Sequence, residues 1–286
     1  MSDLSDDWTV VRMLEWATEY FENKKVPSPR LSIEWLLSHV LEIKRLQLYM
    51  QYDRPLTNAE LDKIRPLVLR RGKHEPLQYI TGSTEFFNSE ILVNPAVLIP
   101  RPETEELVER ILNDFPESKD NFRLLDLGTG SGCIPIAIKK ERPDWDILGM
   151  DVSPEALDVA KSNAETNDTE IEFLLGDFTK NWDIAGSFDV IVSNPPYVLS
   201  TEKEKLDIQV RDYEPALALF TDNLSDIFKP IINQAQTRLK TDGKLYFELH
   251  EDYAQQVLAF FDEKIWQARI ISDYAAKERF IEATIR

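Results

Sequence analysis

The chain has 286 residues, 43% apolar, 29% charged and 10% aromatic, enough for about two domains with their own cores and unlike a disordered or low-complexity sequence. Lys and Arg total 33 against 51 Asp and Glu, a net charge of −18 that argues against a surface gripping nucleic acid phosphates. A single cysteine, Cys133, excludes an intramolecular disulfide framework and a Cys-rich zinc site.

The acidic start, MSDLSDDWTV, lacks the apolar core of a secretion signal, and no run of about 18 apolar residues occurs. A soluble, cytoplasmic protein without membrane contact is expected. Residues 1–81 hold 12 basic and 12 acidic residues, leaving 21 and 39 for the rest, which carries the whole negative charge. In this first part Trp8, Val11, Leu14, Trp16 and Phe21, then Leu31, Ile33, Trp35, Leu36, Leu37 and Val40, recur near helical spacing. Pro27 and Pro29 separate the two groups. Asp53-Arg54-Pro55 precedes a third, over 61–69, opened by Thr57 and Glu60 at capping-box spacing. A small helical bundle over 1–81 follows. Within it Lys63, Arg65, Arg70, Arg71 and Lys73 form a basic cluster, read as a solvated face or a contact for a partner.

Residues 84–93 alternate about Asn88-Ser89 and predict a hairpin inside a linker over 82–97. Pro100-Arg101-Pro102-Glu103-Thr104 then leads into an apolar-periodic helix, with Pro102 and the acids suited to its first turn. From 122 onward strands at 122–128, 146–151, 170–177, 189–193 and 243–249 alternate with helices at 132–141, 154–167, 224–240 and 251–263, and two late strands close the chain. That order calls for an open, mostly parallel sheet with helices on both faces, spanning 98–286.

Asp126-Leu-Gly128-Thr129-Gly130-Ser131-Gly132 follows an apolar strand and opens a helix, where a doubly wound sheet holds nucleotide-like ligands. Glycines there let the backbone turn sharply and approach the ligand, and the helix N-terminus beyond offers N–H groups to a carboxylate. Asp151 ends the next strand, placed to accept both hydroxyls of a ribose or to cap the helix at Ser153-Pro154. Asp177-Phe178 closes the third strand, able to bind a base amino group and cover its face, or simply to end a strand with a core phenylalanine. Three consecutive strand ends together make one adenosine-shaped pocket. The spacing is G-x-G-x-G, with no second dinucleotide half and no Gly-Lys-Ser/Thr, so a nicotinamide dehydrogenase and a triphosphate site fit poorly.

The strand at 189–193 runs into Asn194-Pro195-Pro196-Tyr197 on the same edge. Two prolines make that turn stiff and rich in acceptors. An amide or aromatic amine nitrogen is a poor nucleophile because its lone pair is delocalised. The Asn194 side-chain oxygen and the Pro195 carbonyl can accept its two N–H bonds and aim the lone pair at an electrophilic methyl carbon. Tyr197 can pack on the planar group or present its ring face to a sulfonium. No metal and no strong base are needed.

These residues resemble the class I S-adenosylmethionine-dependent methyltransferases that act on planar nitrogens, a Rossmann-like fold with a seven-stranded, mostly parallel sheet. Asn-Pro-Pro-Tyr alone is shared with adenine-modifying DNA methyltransferases and some RNA methyltransferases. Glu75-Pro76-Leu77-Gln78-Tyr79-Ile80-Thr81-Gly82, the Glu85-Phe86-Phe87 hairpin, Leu98-Ile99-Pro100-Arg101-Pro102-Glu103-Thr104 and the helical preface narrow the likeness to the HemK/PrmC family, the protein-glutamine N-methyltransferases of peptide chain release factors. The resemblance implies methylation of the glutamine side chain in the release factor Gly-Gly-Gln motif. It implies that Gly128, Thr129, Gly130, Ser131, Gly132, Asp151, Phe178 and Asn194 bind S-adenosylmethionine, with S-adenosylhomocysteine as product, and that Asn194, Pro195, Pro196 and Tyr197 hold the glutamine. Asp177 joins the cofactor set from its strand-end position alone, and Arg101 and Thr104 are expected near the pocket.

One departure is visible. The late strand ends Glu248-Leu249-His250-Glu251, where the family usually has glycine two residues after the acid. The acidic catalytic part suits a basic class 1 release factor as partner, with the bundle adding a second contact and a single chain sufficing. A nucleic acid adenine methyltransferase, which would flip its base into the same pocket, predicts a basic stripe instead. A non-catalytic S-adenosylmethionine-binding module is the third reading.

Overall fold

The computed structural model describes residues 8–116 and 121–286. The acidic start at 1–7, read above for its lack of a secretion signal, lies outside the described residues. The chain divides into two compact units, Met1–Gly82 with Asp207–Tyr213, and Ser83–Leu206 with Glu214–Arg286.

The first unit is helical: α1 (Val10–Asn23), α2 (Pro29–Leu41), α3 (Arg45–Tyr49), α4 (Asn58–Arg71) and α5 (Leu77–Thr81). In α1 the buried Val10, Met13, Leu14, Ala17 and Phe21 form one helical stripe against Ile33, Leu36, Leu37 and Ile64. Pro29 starts α2 at a position where its missing N–H costs nothing. Thr57 and Glu60 cap α4 reciprocally, Thr57 Oγ1 accepting from the Glu60 N–H at 3.3 Å and Glu60 from the Thr57 N–H at 2.8 Å. The apolar periodicity overcounts the core, however: Trp16, Leu31, Trp35 and Leu69 lie at the surface. Trp16 stacks on Tyr20 and Trp35 lies beneath the Arg45 guanidinium, so each ring is partly covered from outside rather than from within.

The basic cluster resolves into separate roles. Arg71 is buried, donating to Ser32 Oγ, the Pro27 and Glu75 carbonyls and Gln209 Oε1 at 2.8–3.2 Å. Arg70 forks onto the Glu75 carboxylate at 2.5 and 2.8 Å. Both arginines are structural.

The second unit opens with a hairpin, β1 (Ser83–Phe86) and β2 (Ser89–Leu92), in which Phe86 pairs with Ser89. Its turn is Phe87-Asn88, one residue earlier than the alternation suggests, because the two left-handed dihedrals of a tight hairpin fall there, at φ 45° and 60°. Then come α6 (Pro102–Asp114), β3 (Arg123–Leu127), α7 (Cys133–Glu141), β4 (Asp146–Asp151), α8 (Pro154–Thr166), β5 (Glu172–Leu175), β6 (Phe188–Ser193) and β7 (Val198–Leu199). After α9 (Ile208–Tyr213), which belongs to the first unit, the chain continues through α10 (Ala216–Leu219), β8 (Phe220–Thr221), α11 (Leu224–Arg238), β9 (Leu239–Glu248), α12 (Ala254–Leu258), β10 (Trp266–Ser272) and β11 (Glu278–Ile285).

Seven strands form one sheet in the order β10-β11-β9-β6-β3-β4-β5, with β11 alone antiparallel to its neighbours. From β3 the chain winds outward to β5 and then returns to the other side as β6, so β3 and β6 flank the point where the strand order reverses. Crevices open there beyond the carboxyl ends of the strands. Both strands are apolar throughout their buried middles, Leu124 and Leu125 beside Val190 and Ile191. No helix among the described residues is long and apolar enough to cross a membrane.

Candidate active site

A cavity of about 480 Å³ lies at that reversal, within the range of small-molecule sites. Its floor is the turn after β3. Gly128, Gly130 and Gly132 stand at φ +74°, +53° and +77°, a region that side chains other than glycine rarely enter. A Cβ on Gly128 would stand 3.3 Å from the Phe178 ring, which would have to give by a few tenths of an ångström to admit it. A Cβ on Gly132 would stand 3.2 Å from Ala160 Cβ, so this glycine lets α7 approach α8 closely.

Asp151 at the end of β4 accepts from the Gly130 N–H at 2.8 Å and the Ser153 N–H at 2.9 Å. The carboxylate thus braces the glycine turn and the start of the next helix, and it also lines the cavity. Burial raises its pKa, opposed by the N–H groups of Ser153, Gly130 and Val152. Asp177 and Phe178 also line the cavity. One Asp177 oxygen is taken by the Thr179 N–H and hydroxyl at 3.0 and 2.6 Å, and Lys180 lies 3.1 Å away. Burial raises the Asp177 pKa, but these donors outweigh it and hold the group below the usual carboxylate range.

The opposite wall is the turn after β6. Ser193, buried at its root, donates to the Leu127 carbonyl at 2.7 Å. Asn194 and Pro196 line the cavity, whereas Pro195 and Tyr197 do not. Tyr197 packs against the core cluster under the sheet end, and burial raises its phenol pKa. The part assigned to Pro195 rests on its backbone carbonyl alone.

Thr104 and Arg101 line the cavity as well, from the start of α6. The Arg101 guanidinium donates to buried Glu214 at 2.6 Å, and Glu214 also accepts from the Ile99 N–H at 3.3 Å. This pair clasps the segment at 96–101 to the one at 215–220, and both supply cavity wall, including Ala96, Val97, Leu98, Pro215, Leu217, Ala218 and Phe220. Sequence reasoning missed these apolar residues. Cys133 lines the cavity too, with its thiol pushed up to about 12 by burial, which leaves it an inert packing residue.

At the departure noted above, His250 caps a short turn, with its ring nitrogen accepting from the Asp252 N–H at 3.3 Å. Its φ is −76°, so the backbone there does not require glycine.

The turn is also equipped for a ligand. Both Asp126 oxygens and Thr129 Oγ1 are buried at the root of the glycine turn, with no polar neighbour there besides each other within hydrogen-bond distance. Such groups suit a polar or cationic ligand head. An elongated group with a charged end over the turn, a diol near Asp151 and a flat ring beside Phe178 fits the residues present.

A doubly wound sheet of this order, with a glycine turn after its first strand and an acid ending the second, defines a class I methyltransferase. A methyltransferase from Pyrococcus furiosus shares the fold at a TM-score of 0.50 and 16% identity, over 70% of this chain and 90% of that one. Residues 12–82 match the PrmC N-terminal domain and residues 103–212 the methyltransferase small domain. The release factor glutamine methyltransferase of Leptospira interrogans is 40% identical over 96% of this chain and 98% of its own. That of Geobacter sulfurreducens is 40% identical over 91% of each. The chain belongs to the release factor glutamine methyltransferase family.

Proposed function

We propose that this protein transfers a methyl group from S-adenosylmethionine to the side-chain amide nitrogen of the glutamine in the Gly-Gly-Gln motif of class 1 release factors. When bound, S-adenosylmethionine supplies an electrophilic methyl carbon on a sulfonium sulfur. Gly128, Thr129, Gly130 and Ser131 would hold its amino acid end, Asp151 the ribose, and Asp177 and Phe178 the base. Asn194 accepts an N–H of the substrate amide through Oδ1, and the Pro195 carbonyl accepts the other. The nitrogen lone pair is thereby turned toward the methyl carbon, an orientation effect worth orders of magnitude in rate. Transfer would break the methyl–sulfur bond as the nitrogen–methyl bond forms, and the alkylated nitrogen, now acidic, would give its proton to solvent water.

The observation that carries this reading is the place of Asn194 on the cavity wall across from the glycine turn, with the strand end beneath it tied by Ser193 to Leu127. The acidic second unit attracts a basic release factor, and the helical unit supplies a further contact. The protein acts as a monomer in the cytosol, without nucleic acid, in this reading.

The test is intact-mass spectrometry of a recombinant class 1 release factor after incubation with the protein and S-adenosylmethionine. One methyl gained by the wild-type factor, and none by a variant with alanine in place of the motif's glutamine, supports the reading. No methyl on either, with cofactor binding confirmed, overturns it.

A further inference from the structure

Asn194 can serve as an acceptor only if its side-chain amide is turned the right way. A primary amide has nearly the same shape after a 180° flip, so something must distinguish its oxygen from its nitrogen. In this structure Asn194 Nδ2 donates to Thr104 Oγ1 at 3.4 Å. Thr104 is buried, and its hydroxyl lowers the pKa of the buried Glu248 carboxylate beside it. Ser193 pairs with Phe247 in the sheet, so Asn194 and Glu248 are the next residues along two adjacent parallel strands, and Thr104 spans them from α6. Glu248 is buried too, with Oε2 lacking a hydrogen-bond partner among the described residues.

A hydroxyl alone cannot discriminate, because it donates or accepts equally well. An ionised carboxylate can only accept. It accepts a hydrogen bond from the Thr104 hydroxyl and leaves the lone pairs of Oγ1 facing Asn194, which must then present its NH2 group. The carbonyl oxygen is left for the cavity.

We propose that Thr104, polarised by Glu248, is a positioning residue that sets the Asn194 amide with Nδ2 inward and Oδ1 toward the substrate nitrogen. The proposal rests on the glutamine reading for its kinetic consequence but not for its geometry. A flipped Asn194 would point N–H groups at the N–H groups of a substrate amide, and the lone pair would lose its aim.

The state of Glu248 governs the device. Burial, with the Thr104 hydrogen bond opposing it, Glu103 adding to it and Arg279 and Arg101 opposing it, pushes its pKa up to about 7. Tyr197 and Cys133 also face this carboxylate. Once protonated, Glu248 can donate to Thr104, which then donates to Asn194 and favours the flip. Turnover therefore rises with pH as Glu248 ionises.

The experiment compares the full-length wild type with Thr104→Val, which keeps shape and removes the hydroxyl, and Thr104→Ser, which keeps the hydroxyl. With a class 1 release factor as substrate, Thr104→Val lowers kcat ~10- to 100-fold. Its Kd for S-adenosylhomocysteine, measured by calorimetry, stays within ~3-fold, the change expected when positioning but not binding is lost. Thr104→Ser restores kcat to within ~3-fold, and the rise of kcat with pH disappears in the valine variant. A valine variant with near-normal kcat and an unchanged pH profile overturns the proposal.

Nitrogen-15 NMR separates this result from failure of the functional reading. The Asn194 side-chain NH2 signal, assigned by its loss in Asn194→Ala, exchanges slowly with solvent in wild type and Thr104→Ser and quickly in Thr104→Val. Equal exchange in all three overturns the orientation. Slow exchange in the first two, with no methylation by the wild type, overturns only the glutamine reading.

Discussion

The Ser193 hydroxyl donates to the Leu127 carbonyl across 2.7 Å, joining the last residue of β6 to the last residue of β3 by a side chain in addition to the sheet. The two turns that face each other over the cavity thus grow from strand ends that cannot slide apart independently. Ser193→Ala removes a fully buried bond and lowers stability by about 1–2 kcal/mol, read from urea unfolding. An unchanged midpoint and slope would show that this bond contributes nothing to the fold.

Asn194→Ala keeps the glycine turn, Asp151 and Phe178 in place and removes the acceptor. Turnover on a release factor falls at least ~100-fold while the Kd for S-adenosylhomocysteine changes by less than ~3-fold. Single-turnover kinetics beside calorimetry checks both halves, and near-normal turnover would remove Asn194 from the mechanism.

Asp151 serves ligand and fold together, and its replacement affects both. Asp151→Ala frees the Gly130 and Ser153 N–H groups, so the cofactor Kd rises ~10- to 100-fold, as when a charged hydrogen-bond acceptor is lost. The melting temperature of the ligand-free protein falls as well. A Kd equal to wild type would exclude the ribose role.

Asp126 makes the ligand-free protein sensitive to pH. Burial, with the charge of Asp151 adding to it, pushes its carboxyl from an ordinary 3.8 up to about 7. The folded state therefore holds this proton more tightly than the unfolded state. The stability it contributes is full below about pH 4 and is lost as pH rises through about 7. Asp126→Asn abolishes that slope, so its stability relative to wild type is greater at pH 8 than at pH 5 by at most about 3 kcal/mol, read as a higher relative melting temperature. A difference that is the same at both pH values would place the Asp126 carboxyl in its ordinary range.

The charge of the second unit sets a salt dependence. Because residues 83–206 and 214–286 carry 37 acidic against 20 basic groups, kcat/KM on a basic release factor falls between 50 and roughly 500 mM salt as the screening length shortens several-fold. Methylation of a short neutral Gly-Gly-Gln peptide changes little over the same range. Equal responses would show that the acidic surface plays no part in capture.

The glycine turn, Asp151 and Asn194 were legible in the sequence because a strand end facing a ligand needs particular residue types at fixed offsets. The apolar wall at 96–98 and 215–220 was not, since residues that line a cavity are the same types that fill a core. The clasp of Arg101 on Glu214 joins positions 113 apart in the chain, and no local pattern announces it. Trp16 and Trp35 fit helical periodicity yet lie outside, because periodicity locates a face without telling how wide its buried part is. The hairpin turn falls on Phe87-Asn88 because the pairing of Phe86 with Ser89 decides it, and phenylalanine gives no signal for a left-handed backbone.

The chain does not leave the helical unit for good at Gly82, since Asp207–Tyr213 returns to it between two stretches that line or flank the cavity. There Gln209 accepts from Arg71 at 3.2 Å and the Tyr213 hydroxyl donates to the Lys73 carbonyl at 2.7 Å. The amino-terminal helices are consequently not an exchangeable cassette. A truncation after residue 82 orphans a helix that stays behind, and a chimera that swaps in foreign helices must carry the matching seven residues from the middle of the donor's catalytic sequence.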